Sequence, residues 1–492
     1  MSNKVKIIRE ESIKHEKRRF TRVKEIFTLW SHTSDINCYA KIFMYQGNLL
    51  AQVIWVLILI ASTCATYWLI TNSILDYLQY EVVSQTNVFY EVPTKFPAIT
   101  ICDNDPFSSK FAESLYENVS KANIHVAKSI NSVNSNLNFL VKMQAANPSF
   151  GDMNRKLLGF ESKSIVSCKY NQQKCAESLR WFYSFDYGNC WQFNSGIDSS
   201  NNKIEIKEAK LEDKDFGFSM TVYPLISHNK YMTTWDQGMI VFVHNSSFRP
   251  VSADAIFVKP GEQSLISIKR TLTQKYPHPY SECFDLTTYS SELYDFILKQ
   301  NQSYRQRDCF KLCIQKEVIK NCGCYYLNDL NLDENTRPCL SNNESLCAQK
   351  YSIEFNIKKC QEDYCPLECE SFKYDLTLSS LINPHLKEYF SFNQTDLNKY
   401  QKEIGVNNLT YDIFKSTWVN IKVFYPNLQY TRVSELPKTS IIDLFTQIGG
   451  SLGMFVSFSI FSLFEFVEIF LLIINTLLFK NSNVAPVVWH HE

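Results

Sequence analysis

The sequence is poor in glycine and proline and has no surplus of charge of either sign. It holds 13 Gly and 15 Pro among 492 residues, too few for a fibrous or low-complexity protein. Lys and Arg together number 50, as do Asp and Glu. The basic surplus that binds phosphate backbones is therefore missing, and nucleic acid is not an expected partner. Aromatic residues make up 14% of the chain, which excludes an acidic disordered protein.

Several common enzyme motifs are also missing. The sequence contains no P-loop, no G-x-G-x-x-G turn and no HExxH helix. Nothing positive therefore points to catalysis, and we predict neither an enzyme nor a bound cofactor or metal ion.

Two long apolar stretches lie near opposite ends of the chain. The first, 49–71, has 23 residues without a charge, enough to cross the roughly 30 Å hydrocarbon core of a bilayer as a helix. The second, 441–479, has 39 residues, and its charges are Asp443, Glu465 and Glu468. As one helix it would be about 58 Å long, so it either extends beyond the membrane or is broken within it.

Charge and sequons predict how the chain crosses the membrane. Residues 1–48 hold ten basic and five acidic residues, so by the positive-inside rule the N-terminus is cytoplasmic. The first stretch is too long for a signal peptide, and we expect an uncleaved signal-anchor at the plasma membrane. With two spans the C-terminal tail is cytoplasmic too. Six N-x-S/T sequons support an extracellular middle part: Asn118, Asn245, Asn301, Asn343, Asn393 and Asn408.

This topology predicts five parts of the chain. They are a cytoplasmic segment 1–47, a transmembrane helix 48–71, an extracellular domain 72–440, a second transmembrane helix 441–479 and a cytoplasmic tail 480–492. The extracellular domain is predicted to be mixed α+β. Alternating residues indicate strands at 238–243 and 264–270, and helices are expected at 108–120 and 287–300.

The cysteines are distributed unevenly along the chain. Of the 16, Cys38 lies in the cytoplasmic segment and Cys64 in the first span, which leaves 14 outside and allows up to seven disulfides. Ten of the 14 cluster between Cys283 and Cys369. Zinc is a competing interpretation of this thiol-dense part. The extracellular setting and the lack of paired CxxC motifs favour a rigid, disulfide-linked subdomain.

The second apolar stretch holds small residues and two carboxylates. Gly449, Gly453 and Ser457 recur every four residues on one helical face, a pattern that permits close helix packing in membranes. A carboxylate inside a span costs at least about 2.5–3.5 kcal/mol, so Glu465 and Glu468 indicate a water-filled path. The alternative is a position in the inner headgroup region. Acidic rings at a pore attract cations, and because one segment cannot enclose a pore, we expect an oligomer.

Several groups of residues occur together, in order, along nearly the whole chain. They are Phe96-Pro-Ala-Ile-Thr-Ile-Cys102 and Asn104-Asp-Pro-Phe107; Gly188-Asn-Cys-Trp-Gln-Phe-Asn194; Pro279-Tyr-Ser-Glu-Cys283; Tyr304, Cys309, Cys313 and Cys322-Gly-Cys324; Cys365-Pro-Leu-Glu-Cys369 with Tyr374; and Ile448-Gly-Gly-Ser-Leu-Gly-Met-Phe455 with Glu465. This series resembles the degenerin/epithelial sodium channel/acid-sensing ion channel family, the amiloride-sensitive sodium channel superfamily.

The resemblance implies a trimeric channel with a β-rich palm, finger and thumb ectodomain, whose thumb covers 283–372. It implies a second helix broken at a selectivity filter, with Na+ as the permeant ion and no cofactor. Tyr77 and Tyr280 fall where the family has an aromatic contact that couples the thumb to the pore. The implied filter residues are Ser457, Phe458 and Ser459, and the implied pore residues are Gly449, Gly450, Gly453, Glu465 and Glu468.

The resemblance also implies a pairing for all 14 extracellular cysteines. The implied pairs are Cys102 with Cys190, Cys168 with Cys175, Cys283 with Cys369, Cys309 with Cys365, Cys313 with Cys360, Cys322 with Cys347, and Cys324 with Cys339.

Three positions depart from the family's pattern. Asn37-Cys38 stands in place of a cytoplasmic His-Gly motif that bears on gating. Phe458 is bulky where the middle filter residue is usually small. Glu81-Val82 replaces the pair of histidines that follows the first span in acid-sensing members, so proton gating is not favoured.

These observations predict a sodium-permeable, voltage-independent cation channel subunit, gated by an unidentified extracellular ligand or by force. Voltage independence follows from the absence of Arg and Lys in the first span. The partners would be the lipid bilayer and related subunits, in a homo- or heterotrimer. Because of Phe458 and Asn37-Cys38, the main alternative is a modulatory subunit that conducts only in heterotrimers. An ATP-gated trimeric channel and a two-pass adhesion or enzymatic ectodomain are less favoured.

Overall fold

The structure is a computed structural model of the chain in which two compact units are distinguished. It describes residues 47–122, 140–145, 147–198, 202–223, 237–246, 250, 254–285, 289–300, 302–326, 331–333, 335–382, 398, 401, 410–412 and 417–478. One unit consists of Met1–Val83 with Pro437–Glu492, and the other of Ser84–Leu436.

In chain order the helices are α1 (Leu49–Leu78), α2 (Lys110–Ala122), α3 (Gly151–Lys156), α4 (Glu292–Lys299), α5 (Gln306–Cys322), α6 (Asn342–Ile353), α7 (Ile357–Asp363), α8 (Ile441–Val456) and α9 (Ile460–Leu478). The strands are β1 (Val82–Tyr90), β2 (Thr94–Lys95), β3 (Ala98–Asp103), β4 (Ile165–Tyr170), β5 (Gln173–Lys174), β6 (Arg180–Ser184), β7 (Gly188–Phe193), β8 (Glu208–Ala209), β9 (Phe218–Val222), β10 (Met239–His244), β11 (Ala255–Val258), β12 (Glu262–Gln274), β13 (Cys283–Phe284), β14 (Leu367–Glu368), β15 (Glu370–Ile382), β16 (Val419–Phe424) and β17 (Gln429–Pro437).

The unit that contains Met1–Val83 and Pro437–Glu492 is built on α1, α8 and α9. Among the described residues, α1 is the one helix long and apolar enough to cross a membrane. It has 30 residues and continues past residue 71 to Leu78. Asn48 caps its start, because the Asn48 side chain accepts the Ala51 N–H at 3.4 Å. α8 packs against α1. The second apolar stretch is not one continuous helix, because α8 ends at Val456 and α9 begins at Ile460.

Two sheets form the centre of the unit Ser84–Leu436. One has eight strands in the order β1-β17-β12-β16-β9-β4-β5, with β15 also paired to β12, and the other has the order β11-β10-β3-β7-β6. Strand β12 pairs with β15 over 13 residues. The largest apolar core takes side chains from both sheets, because alternate residues of each strand point to the same face. Its buried members include Ile99, Ile101, Phe193, Val241, Phe218, Met220, Ile266 and Ile421.

Two smaller cores lie beside the sheets in the same unit. One is built on Phe107, Leu158 and residues of α2 such as Tyr116. The other joins α4, α5 and α7 through Leu293, Leu312 and a group of half-cystines. Helices α4 to α7 therefore form a separate, disulfide-linked subdomain, which we call the thumb.

The predicted mixed α+β ectodomain is confirmed, and it is rich in β structure. The strand predicted at 238–243 is β10, the one at 264–270 lies within β12, and the helix predicted at 108–120 is α2. The helix predicted at 287–300 begins later, at Glu292, because the Ser291 hydroxyl accepts the Tyr294 N–H at 3.2 Å and caps α4 at that point.

Candidate functional site

Helix α8 starts with a capping box. The Ser440 hydroxyl accepts the Asp443 N–H at 3.1 Å, and the Asp443 carboxylate accepts the Ser440 N–H at 2.9 Å. This reciprocal pair satisfies two N–H groups that a helix start leaves without partners. Asp443, one of the three charges in the second apolar stretch, therefore serves the helix start.

The glycines predicted to line the pore face open space within the chain. A methyl group built on Gly449 or Gly450 would meet no neighbouring atom within 4 Å. On Gly453 it would come no closer than 3.9 Å to any atom, the nearest being the Phe458 carbonyl oxygen. Among the described residues, packing between α8 and α1 therefore does not require these glycines.

The chain turns sharply between α8 and α9. Ser457 has φ +59° and ψ +28°, the left-handed conformation that often ends a helix but rarely holds a serine. Its N–H donates to the Gly453 carbonyl at 3.2 Å, and the Phe458 N–H donates to the Leu452 carbonyl at 3.2 Å. The turn coincides with the three residues that the family resemblance identifies as the filter.

The other two predicted filter residues, Phe458 and Ser459, contact α9. The Ser459 N–H donates to the Ser462 hydroxyl at 3.2 Å, and the Ser462 N–H donates to the Ser459 hydroxyl at 3.3 Å. The ring of Phe458 lies 6.1 Å from that of Phe466, centroid to centroid. Sequence reasoning missed Ser462 and Phe466. The Ser-x-x-Ser spacing at a helix start is the signal that could have identified the first of them.

The two predicted pore carboxylates lie on α9. Glu465 is half-buried and Glu468 is exposed. With a spacing of three residues they lie on one side of the helix, one turn apart. A cation near one carboxylate is therefore also attracted electrostatically by the other.

The linkers that follow α1 and precede α8 are tied together. The Lys438 N–H donates to the Glu81 carbonyl at 2.9 Å, and the Lys438 ammonium lies 2.6 Å from the Glu81 carboxylate. Just before them, Tyr77 lies beside Tyr80, with ring centroids 5.9 Å apart. Glu81 stands where acid-sensing members have one of two histidines. It thus joins the residues that follow α1 to those that precede α8.

Tyr280 lies at the base of the thumb. Its ring meets that of Tyr276 edge to face, with centroids 5.0 Å apart. The Tyr276 N–H donates to the Glu435 carboxylate on β17 at 3.3 Å. Tyr77 and Tyr280 belong to different units of the molecule, and the contact between them stays a prediction.

All 14 cysteines that the sequence places outside the membrane form disulfides in the structure, and the seven pairs are those that the family resemblance implies. Five of them lie in or next to the thumb, so its ten thiols are not available to zinc. The pairs are Cys102–Cys190, Cys168–Cys175, Cys283–Cys369, Cys309–Cys365, Cys313–Cys360, Cys322–Cys347 and Cys324–Cys339.

An ion pair whose arginine is buried lies in the larger sheet. Arg270 on β12 contacts the Glu91 carboxylate, which follows β1. The guanidinium carbon also lies 4.6 Å from the centroid of the Tyr430 ring on β17. The pair therefore joins β1, the first strand after α1, to the strands β17 and β12 that follow it in the sheet.

Two buried titratable groups lie near the smaller sheet. Burial raises the pKa of the Asp103 carboxyl to about 7, although it accepts hydrogen bonds from the Asp105 N–H and the Ser108 hydroxyl. Burial lowers the pKa of His244 to about 4. Its Nδ1 donates to the Asn245 carbonyl at 2.8 Å, which leaves Nε2 to accept from the Thr100 hydroxyl at 2.9 Å. Asp103, which sequence reasoning missed, is therefore the group that titrates near neutral pH.

The sequons differ in exposure. Asn118 on α2 and Asn343 on α6 are exposed, whereas Asn245 is half-buried after β10. Five other predicted site residues lie outside the described residues: Asn37, Cys38, Asn301, Asn393 and Asn408.

A comparison with protein families finds one match. The family model described as "Amiloride-sensitive sodium channel" matches residues 30–469, which include the first apolar stretch, most of the second and the entire disulfide-linked part.

Individual relatives are similar over different lengths. The epithelial sodium channel subunit gamma of Neoceratodus forsteri is 30% identical over 323 residues, which cover 64% of this chain and 46% of that subunit. The FMRFamide-activated amiloride-sensitive sodium channel of Cornu aspersum is 22% identical over 88% of this chain and 81% of its own length. Acid-sensing ion channel 1 of Gallus gallus is 23% identical over 89% of this chain and 82% of its own length. The chain thus spans about half of the gamma subunit but most of the other two.

Proposed function

Because this chain belongs to the amiloride-sensitive sodium channel family, we propose that it is a subunit of a sodium-permeable, voltage-independent cation channel gated through its ectodomain. The family consists of ion channels, so the chain is not an enzyme. Relatives whose names describe sodium channels support Na+ as the permeant ion. The absence of Arg and Lys from α1 supports voltage independence.

The break between α8 and α9 is the observation that carries this proposal. Inside a bilayer, a break in a helix leaves backbone polar groups that must face protein or a water-filled cavity. In the proposed channel the carbonyl oxygens of Ser457, Phe458 and Ser459 line the narrowest part of such a cavity and contact Na+. Glu465 and Glu468 attract cations to the path on the α9 side.

A trimer with copies of the chain or with related subunits encloses this path. One α8–α9 segment cannot surround an ion, so several must assemble around an axis. The open face of Gly449, Gly450 and Gly453 supports this assembly, because small residues in a membrane permit close approach of a neighbouring helix. Relatives named as gamma and beta subunits also support assembly with related chains.

The proposed channel crosses the plasma membrane twice and keeps both termini in the cytoplasm. The ten basic residues among 1–48 support a cytoplasmic N-terminus. The exposed sequons Asn118 and Asn343 support an extracellular location for the unit Ser84–Leu436. The seven disulfides of that unit are stable in the same oxidising compartment.

Gating starts in this proposal with a ligand or force that moves the disulfide-linked thumb. At the thumb's base, the ring of Tyr280 contacts that of Tyr276. The Tyr276 N–H is hydrogen-bonded to the carboxylate of Glu435 on β17. Strand β17 leads directly through Lys438 into α8, so movement of the thumb base changes the tension on the pore helix. An additional contact between Tyr280 and Tyr77 would couple the thumb to α1.

A modulatory subunit that conducts only in heterotrimers is the second candidate. The bulky Phe458 in the filter and Asn37-Cys38 in place of His-Gly favour it. The two candidates differ in one observable, the current carried by the chain expressed alone.

Two-electrode recording of the expressed chain tests the proposal. We expect an inward sodium current under at least one of acid, neuropeptide or mechanical stimulation, and block by amiloride. Glu465→Gln and Glu468→Gln should each reduce single-channel conductance, because they remove charge that concentrates cations. Glu117→Gln, on the exposed face of α2, is the matched control and should leave conductance unchanged.

The outcomes separate the candidates. Silence of the chain alone, with current restored on co-expression with a related subunit, favours the modulatory subunit. Silence in every combination, with surface expression verified, refutes both. Unchanged conductance in both glutamate variants excludes a path along α9.

A further inference from the structure

We propose that Ser462 and Phe466, two residues of α9 outside the filter, are positioning residues that hold the filter backbone and thereby set ion selectivity. The inference rests on the proposed function and deepens it. It follows from the contacts that each of the three filter residues makes.

The conformation of Ser457 requires support from its surroundings. A non-glycine residue at positive φ is unfavourable and persists only where neighbouring contacts over-determine it. Ser457 itself is held by the N–H bond to the Gly453 carbonyl, at the end of α8. Beyond Ser457, the hydrogen bond from the Phe458 N–H to the Leu452 carbonyl is the last one to α8 among the described residues, and Ser459 is hydrogen-bonded to Ser462 of α9. The geometry of the turn therefore depends on how α9 holds Phe458 and Ser459.

Ser462 holds Ser459 from the first turn of α9. Its side chain has no exposed surface, whereas the next two residues, Leu463 and Phe464, are 52% and 65% exposed. Its hydroxyl accepts the Ser459 N–H at 3.2 Å, and its own N–H donates to the Ser459 hydroxyl at 3.3 Å. Both hydroxyls are thus used in the cap, so the carbonyl oxygen is the group that Ser459 offers to an ion.

Phe466 accounts for the bulky residue in the middle of the filter. The rings of Phe458 and Phe466 are inclined by 35° with centroids 6.1 Å apart, within the range of favourable aromatic pairs. Phe466 follows Ser462 by one helical turn, so both lie on one face of α9 together with Glu465. This face therefore combines the two residues that hold the filter with a carboxylate that attracts cations.

Permeability measurements on paired variants test the functional half of the inference. Ser462→Ala removes the capping hydroxyl, whereas Ser462→Thr retains it. We expect Ser462→Ala to change the Na+/K+ permeability ratio, read from the reversal potential, by about threefold or more, and Ser462→Thr to restore it. Phe466→Leu, which removes the ring contact, should change the ratio in the same manner. The controls are Thr446→Ala, which loses a hydroxyl bonded to its own helix at 2.9 Å, and Phe464→Leu, an exposed ring.

Hydrogen exchange on the purified full-length chain in detergent tests the structural half without requiring current. Ser462→Ala deprives the Ser459 N–H of its acceptor, and we expect exchange at that amide to become about tenfold faster. Ser462→Thr and Thr446→Ala should leave the rate unchanged.

Each result decides the question. A conducting Ser462→Ala channel with the wild-type permeability ratio overturns the inference, and so does an unchanged exchange rate at Ser459. A wild-type chain that conducts in no combination refutes the proposed function instead, while the exchange rate still decides whether Ser462 positions the filter.

Discussion

The ion pair between Arg270 and Glu91 gives a prediction whose size and asymmetry follow from the structure. The Arg270 side chain is 9% exposed and the Glu91 side chain 42% exposed. Removing one partner of a buried pair costs about 3–5 kcal/mol, because the other charge stays buried without compensation. Removing Glu91 should therefore cost more than removing Arg270, because only the loss of Glu91 leaves a deeply buried charge without a partner.

Glu91→Met leaves the guanidinium in the sheet without its carboxylate. Its Nε already has no hydrogen-bond partner among the described residues, so the remaining compensation is the Tyr430 ring. We expect a loss of about 3–5 kcal/mol in the free energy of unfolding. Arg270→Met instead leaves a carboxylate that water can reach, and it puts an apolar chain of similar length into the sheet. We expect a smaller loss of about 1–2 kcal/mol.

The double variant should be close to Arg270→Met alone, because neither unpaired charge remains. In a unit of this length, about 3–5 kcal/mol lowers the apparent melting temperature by about 4–7 °C, measurable by tryptophan fluorescence of the oxidised chain in detergent. The control is Glu117→Met, which breaks an exposed ion pair with Lys121. It should shift the melting temperature by about 1 °C or less. Equal losses in the two single variants, or additive losses in the double variant, would refute the reasoning.

Three further predictions concern the unit Ser84–Leu436. Because the pKa of Asp103 is raised to about 7, the folded state binds this proton more tightly than the unfolded chain, so stability should fall as pH rises from 4 through 7. Asp103→Asn should flatten this part of the melting-temperature profile, and an unchanged slope would contradict the assignment. Gly188→Ala should destabilise the folded unit by about 2–5 kcal/mol, because Gly188 has φ +66° and the new methyl group would lie 2.7 Å from Pro106 atoms. A variant with wild-type surface expression and melting temperature would argue against this. Replacing both cysteines of Cys102–Cys190 with alanine should cost about 4.6 kcal/mol, because this disulfide joins residues 88 apart. The same replacement of Cys168–Cys175, seven residues apart, should cost about 2.5 kcal/mol. The reverse order of the two losses would contradict the loop-entropy argument.

The disulfides illustrate where sequence reasoning ends. The even number of extracellular cysteines follows from the positions of the apolar stretches, but the number of possible pairings rises steeply with cysteine count. The pairing came from the family resemblance. The structure supplies a physical reason for one of the pairs, because Cys102 and Cys190 are directly opposite each other on the adjacent strands β3 and β7.

Arg270 and Asp103 illustrate what no local pattern reveals. Arg270 is one basic residue in an alternating strand, and its carboxylate partner lies 179 residues earlier in the chain. Asp103 ends a strand and precedes a turn, a position where an exposed carboxylate is ordinary. In both cases burial is created by chain segments distant in sequence, so the altered energetics cannot be read from neighbouring residues.

The sequence by itself determined the apolar stretches, the even set of extracellular cysteines and the order of motifs that identifies the family. These properties depend on composition and spacing, which a linear chain carries completely. The tertiary structure decided that Asp443 caps α8, that Ser462 and Phe466 contact Ser459 and Phe458, and that Glu81 is tied to Lys438. Each of these depends on the direction of a side chain after the backbone has turned. That direction is a consequence of folding, and a local spacing such as Ser459-x-x-Ser462 only points to it.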